Sequence, residues 1–323
     1  MDANNLVDAI RSTLVTSPKF WGYLRDKGAF RRWLIASDYI IKNGDRHWDV
    51  MAYTIYPIAD NYDLERLNEK IAKDIPKDIK NVSTLADNDP SISILRSDRY
   101  FSFAVMLPKN RYAISGKKFV KQMVRNSYEV ANKWTNKDEA KTAIRAIHNL
   151  NQETQKNHFN GALLLDISYA SAIAALLASY LTGQCYAEII TWISDRDPIS
   201  EAYHRAYASL FSAGHVNACE QLKVKSSSTK LALVFDDSVN SGCQTWFDPL
   251  IRIPDYLCGA ISSMKLEAGR FGPVRSKYKT IFESSLADNK NILICNLTID
   301  NAPLLKYPTF IARTINVSKT PIT

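Results

Sequence analysis

A mixed α/β sheet with helices on both faces is the fold class this sequence predicts, on three observations. A long apolar hairpin runs from Arg32 to Ile58, a third apolar run follows at Tyr100–Leu107, and helical and strand patterns alternate from Gly161 to Met264. Antiparallel strands first and alternating helices and strands afterwards put both kinds of pairing in one sheet. With 323 residues, 46% of them hydrophobic and 23% charged, the chain is an ordinary soluble globular one, long enough for one large domain or two small ones. We expect one domain over residues 32–265, a helical extension at 1–31, a basic helical insertion at 109–157 and a C-terminal appendage at 266–323.

Each element has a local reason. Leu6, Ile10 and Leu14, then Phe20, Trp21 and Leu24, read as two short amphipathic helices. In the hairpin, Asn43-Gly44 supplies tight-turn chemistry, and Val50–Ile58 is rich in β-branched and aromatic residues. Leu64, Leu67, Ile71 and Ile75 recur at helical spacing until Pro76 stops the run. Residues 80–98 are polar and irregular, and Pro108 ends the third strand. In the insertion, Lys117, Lys121 and Arg125 share one helix face, with Lys109 and Arg111 just upstream. Such a stripe could track phosphates, although a solvated helix face is the commoner explanation.

Gly161–Leu181 is the most apolar stretch, close to the minimum length of a membrane span. Asp166 and several Ser and Tyr residues interrupt it, so a buried core helix is expected and no membrane association. Ala170, Ala174, Ala175 and Ala178 would let it lie close against the sheet. Strands are expected at Tyr186–Ile193 and Lys230–Phe235, the second ended by Asp236-Asp237-Ser238, with helices at Ile199–Ala213 and Leu250–Met264. One more strand-like run, Asn291–Ile299, falls in the appendage.

An excess of 41 Lys+Arg over 33 Asp+Glu gives a net charge of +8, which suits an anionic partner such as nucleic acid as well as it suits a merely soluble basic protein. Cysteines 185, 219, 243, 258 and 295 are dispersed and none forms a CxxC pair, pointing to buried thiols in a reducing compartment, hence the cytoplasm. No basic segment followed by an apolar core opens the chain, so no signal peptide is expected. No phosphate-binding glycine-rich loop is present, which argues against a small phosphorylated substrate.

Four acids stand where chemistry or structure needs a reason. Asp38 sits inside an apolar strand, where an ionised carboxylate costs several kcal/mol unless compensated. It is either a hydrogen-bond acceptor or a metal ligand. Asp166 lies in the apolar helix, Asp195 at a strand tip before Pro198, and Asp255 in a helix directly after Pro254. Bland readings exist for each: Asp166 as a satisfied core carboxylate, Asp255 as a first-turn acid favoured by the helix dipole, and Asp195 or Asp197 as an N-cap, with Asp197 the better placed. Together, if the elements pack in this order, the acids meet at one edge of the sheet. Such a carboxylate cluster is what two divalent cations about 3.5 to 4 Å apart require.

These motifs resemble the DUF3800 family of the ribonuclease H-like superfamily. The resemblance is carried by Leu34–Ile40 (LIASDYI), Val50–Ile71, Glu188–Asp197 (EIITWISDRD) and above all Leu250–Ile261 (LIRIPDYLCGAI). The last is similar to the family's Leu-Gln-x-Ala-Asp-x-x-x-Gly-Ala motif, with Arg252 in place of Gln and Pro254 in place of Ala. The first departs further, since Tyr39 stands where a Glu follows the family's Asp, and the Gly is missing too. The resemblance implies hydrolysis of phosphodiester bonds in nucleic acid, RNA or DNA, with Mg²⁺ or Mn²⁺. Asp38, Asp195 and Asp255 would be catalytic ligands and Asp166 a further ligand, with Lys117, Lys121 and Arg125 touching the nucleic acid. It also suggests a role in defence against phages or mobile elements. A missing ligand at Tyr39 would instead leave an inactive nucleic-acid-binding or scaffolding protein, and a protein partner or second copy of the chain remains open.

Overall fold

Among the residues described by the computed structural model (3–76, 88–114, 117–132, 137–234, 245–267, 270–273, 276–300 and 309–317), seven strands form a single sheet. These are β1 Arg32–Ile40, β2 Asp49–Ile58, β3 Phe101–Leu107, β4 Ile189–Ser194, β5 Lys230–Leu233, β8 Ile292–Asp300 and β9 Thr309–Ile315; β6 Met264–Glu267 and β7 Arg270–Pro273 pair separately. The order across the sheet is β5-β4-β1-β2-β3-β8-β9. The β1–β2, β2–β3 and β8–β9 pairs are antiparallel, whereas β1–β4, β4–β5 and β3–β8 are parallel. The mixed sheet expected from the order of elements is present.

Alternation along β1 to β4 sorts their side chains onto two faces. Trp33, Ile35, Met51, Tyr53, Phe103 and Trp192 point to the face covered by α1 (Ala3–Val15), α2 (Pro18–Asp26), α7 (Gly161–Gln184) and α8 (Pro198–Gln221). Leu34, Ala36, Ala52, Tyr56, Ala104 and Ile193 point to the other, under α3 (Asn61–Asp74), the short α4 (Pro90–Leu95) and α9 (Asp248–Ser262). The apolar helix α7 is the expected core helix: all four of its named alanines are buried. At Gly214 of α8, an added Cβ would stand 2.9 Å from the Ala175 Cβ, so the two helices approach closely there. The insertion is a helical pair, α5 (Lys117–Asn132) and α6 (Lys137–Glu153), which packs through Val124, Ala140 and Ile147 onto α8.

Three expectations need correction. The hairpin does not close at Asn43-Gly44 in a two-residue turn; its loop runs over residues 41–48, and the left-handed residue is Lys42, with φ 55°. The reason is that Asp49 takes the Lys42 N–H at 3.0 Å, ending the ladder early. The segment after 266 is no detached appendage, because β8 pairs with β3 and β9 extends the same sheet. Arg111 does not belong to an exposed basic stripe, being fully buried at the start of the insertion. Asp236-Asp237-Ser238 and Cys243 lie outside the described residues; the other four cysteines are buried and free.

A carboxylate site at the tips of β1 and β4

The site begins with the position of Asp38 on β1, an interior strand between β4 and β2. It follows Leu34 and Ala36 at a spacing of two and so faces α9. On the neighbouring parallel strand, Ser37 pairs with Ser194, which sets Asp195 beside Asp38 at the strand ends; counting by two from Ile193, it takes the same face. From above, α9 supplies Asp255. The Cys258 thiol, one turn further on, donates to the Asp38 carbonyl at 3.1 Å and fixes the helix over this point of the strand.

Two departures from the family motif in α9 have local explanations. Pro254 lies inside the helix and cannot donate to the carbonyl of Leu250. The buried Tyr56 hydroxyl donates to that oxygen instead, at 2.8 Å. Arg252 is buried and donates from Nη1 to the carbonyls of Ala72 and Ile75, at 3.0 and 2.5 Å, where α3 ends and its last carbonyls need donors. We expect Tyr56→Phe to leave the Leu250 carbonyl buried and unpaired, lowering unfolding stability by about 1–3 kcal/mol. Urea denaturation would measure it, and an unchanged midpoint would count against this role.

Electrostatically Asp255 and Asp195 both act on Asp38. Burial raises the Asp38 carboxyl well above the usual carboxylate range; Asp255 and then Asp195 raise it further, against the Tyr39 N–H that pulls it down. Asp197 adds to the same field. It caps α8, accepting from Ser200 N at 2.9 Å in a reciprocal capping box, as its place before Pro198 predicts. Burial pushes its own carboxyl up to about 6 against those hydrogen bonds. Asp195 is exposed, its Oδ1 accepting from Arg196 N at 2.7 Å, and Asp255 is half-buried.

Asp166 does not join this group. It rises from α7, on the opposite face of the sheet, and its carboxylate is already engaged. Arg111 donates to Asp166 Oδ1 from Nε at 3.1 Å and from Nη2 at 2.9 Å, and the Tyr112 hydroxyl donates to Oδ2 at 2.8 Å. The same guanidinium reaches Asp49 Oδ2 at 2.7 Å from Nη1. Burial pulls the Asp166 carboxyl upward, and Arg111 and Tyr112 pull it back. A fourth ligand at 166 is therefore excluded by both place and partner. The expected nucleic-acid contacts fare unevenly: Lys121 and Arg125 are exposed on α5, Arg125 with Glu129 at 3.1 Å, whereas the Lys117 side chain lies outside what is described.

The alternation that aims Asp38 at α9 sends Tyr39 to the other face, where its hydroxyl meets Ser37 Oγ at 2.7 Å. Position 39 thus stands away from the face that Asp38, Asp195 and Asp255 share. Three carboxylates with oxygen donors only are a set that suits a hard divalent cation, and a buried acid raised by its neighbours gains most from one. Among the described residues, however, no three His, Cys, Asp or Glu side chains stand close enough together to hold a metal ion as they are.

Fold and site define the class: a mixed α/β domain with acids gathered at the tips of adjacent parallel strands under one helix. The chain matches no protein-family model, no curated protein and no solved structure.

Proposed function

We propose that this chain is a metal-dependent nuclease of the ribonuclease H-like kind, related to the DUF3800 family, that hydrolyses phosphodiester bonds. The observation that carries the reading is the place of Asp38 and Asp195 on one face at the ends of the paired strands β1 and β4, beneath the helix that bears Asp255, where both neighbours raise the Asp38 carboxyl. An antiparallel run β1–β2–β3 with β4 and β5 added in parallel beside β1 supports it, as does the +8 charge, which favours a polyanion. Asp38, Asp195 and Asp255 would hold Mg²⁺ or Mn²⁺, which supplies charge neutralisation at the phosphate and an activated water. The protein's part is to fix three carboxylates on rigid elements and to present exposed cations such as Lys121 to the backbone of the substrate. Four buried cysteines are in keeping with a reducing cytoplasmic setting, and defence against phages or mobile elements would suit the activity.

The purified chain is expected to degrade single-stranded, duplex or hybrid nucleic acid with Mg²⁺ or Mn²⁺ and not with chelator. Asp195→Asn and Asp255→Asn should each lower the rate about 100-fold or more, the scale on which removing one transition-state stabiliser acts. A second reading is favoured because, among the described residues, no three His, Cys, Asp or Glu side chains are grouped to hold a metal ion as they stand. In that reading the chain binds nucleic acid without cutting it. Binding that weakens steeply with salt, together with no cleavage under either metal, would establish this reading and sink the nuclease.

A further inference from the structure

We propose that the cavity walled by α5, α6 and α8 is a binding site for a small, uncharged, mainly apolar molecule, and that its occupant steadies the acid-bearing turn at the start of α8. The cavity has a volume of about 100 Å³ and is lined by Ala143, Ile147, Leu150, Leu210, Ala213 and Tyr203. Ser127, Asn149, His204 and Ser209 add polar groups, and among the described residues no Lys, Arg, Asp or Glu lines it, so a charged ligand would lose its hydration with little in return. An apolar cavity of roughly 150 Å³ accepts benzene in a well-studied case, which sets the size class at a single small ring.

The wall itself supplies the second, independent observation. Within α8, Ala202 is extended and Tyr203, His204 and Arg205 are left-handed, with φ of 53°, 56° and 59°. None of the three is glycine, and such a run persists only where its surroundings hold it. Those surroundings are visible. The Tyr203 hydroxyl donates to the Asn160 carbonyl at 2.9 Å and accepts from its N–H at 3.0 Å, and its ring lies 5.3 Å from that of Phe159. Residues 202–205 are thus a joint between the body of α8 and the turn that carries Asp195 and Asp197, pinned to the chain leading into α7. An occupant of the cavity touches the joint directly, through Tyr203 and His204.

The site itself does not depend on the nuclease reading; only the meaning of steadying Asp195 does. The test uses the full chain without metal or nucleic acid, with phenol as probe. Saturable binding by calorimetry is expected, weakened at least ten-fold in both Ala143→Leu and Ala213→Leu, each checked for an intact fold by circular dichroism. Amide exchange over residues 195–205 should slow several-fold when phenol is bound. Absence of saturable binding, or binding in either variant within ten-fold of the native chain's, overturns the site; unchanged exchange in the presence of bound phenol overturns its link to the acid turn. Failure of cleavage assays bears on neither result.

Discussion

Replacing Asp38 with asparagine is expected to make the folded chain more stable at neutral pH while removing metal-dependent cleavage. Asp38 is 8% exposed on β1, and burial, Asp255 and Asp195 all raise its carboxyl. In the unfolded chain that group titrates near 3.9, so between this value and the raised one the folded state keeps a proton that the unfolded state has released. The stability this contributes is complete below the unfolded value and lost as pH climbs through the folded one. Above the unfolded value the native protein must either hold that proton or bear a buried charge among like charges, and asparagine, which still accepts the Tyr39 N–H, does neither. The gain should be roughly 1–3 kcal/mol, the scale for relieving a poorly compensated buried polar group. It should shrink toward zero as both proteins are taken below about pH 4, where the aspartate is neutral in either state. Mn²⁺ should reverse the order, stabilising the native chain by mass action far more than the variant. Thermal melts at several pH values, with and without Mn²⁺, measure all three effects. An Asp38→Asn chain that is less stable by the same amount at every pH would mean that the carboxylate serves as an ordinary hydrogen-bond acceptor.

Asp38 and Asp195 were legible because strand alternation and parallel register are local rules. An acid inside LIASDYI and another just past EIITWIS must share a face once β1 and β4 pair Ser37 to Ser194. Asp166 was misplaced for a complementary reason. Its apolar surroundings announce burial, but nothing in α7 says which face of the sheet the helix will cover. Arg111 reads in sequence as a cation just upstream of the basic stripe, with Lys109 before it and Lys117 after; its partners Asp49 and Asp166 are 62 and 55 residues away. Asn43-Gly44 signalled a tight turn and was overridden by a tertiary contact, the capture of Lys42 by Asp49. The role of β8 and β9 is likewise set by pairing at long range. Local chemistry thus located the proposed site, while long-range ion pairing and sheet order decided what surrounds it.

The second large effect is expected at Arg111, a residue with no part in the proposed chemistry. Its side chain is 0% exposed between Asp49 and Asp166, each 2% exposed, so one cation holds two buried anions. Burial works against its charge, and Asp166, Tyr112 and Asp49 more than offset it. Its Nη1 also donates to the Pro108 carbonyl, just past the end of β3, at 3.0 Å. Arg111→Met keeps much of the volume and leaves both carboxylates in the interior with no guanidinium. Breaking a buried pair this way costs about 3–5 kcal/mol, far more than the pair's net worth against an apolar replacement. The companion expectation follows from that asymmetry: adding Asp49→Asn and Asp166→Asn to Arg111→Met should recover a large part of the loss. The single variant should also regain stability on acidification, since the penalty of its two orphaned buried carboxylates disappears as they take up protons. Because the triad lies on the opposite face from Asp38, the triple variant should retain the acid cluster and its response to Mn²⁺. Urea denaturation of the three chains at pH 7 and pH 5 would decide the matter, and a loss below about 1 kcal/mol for Arg111→Met would mean that the cation is not what holds this corner together.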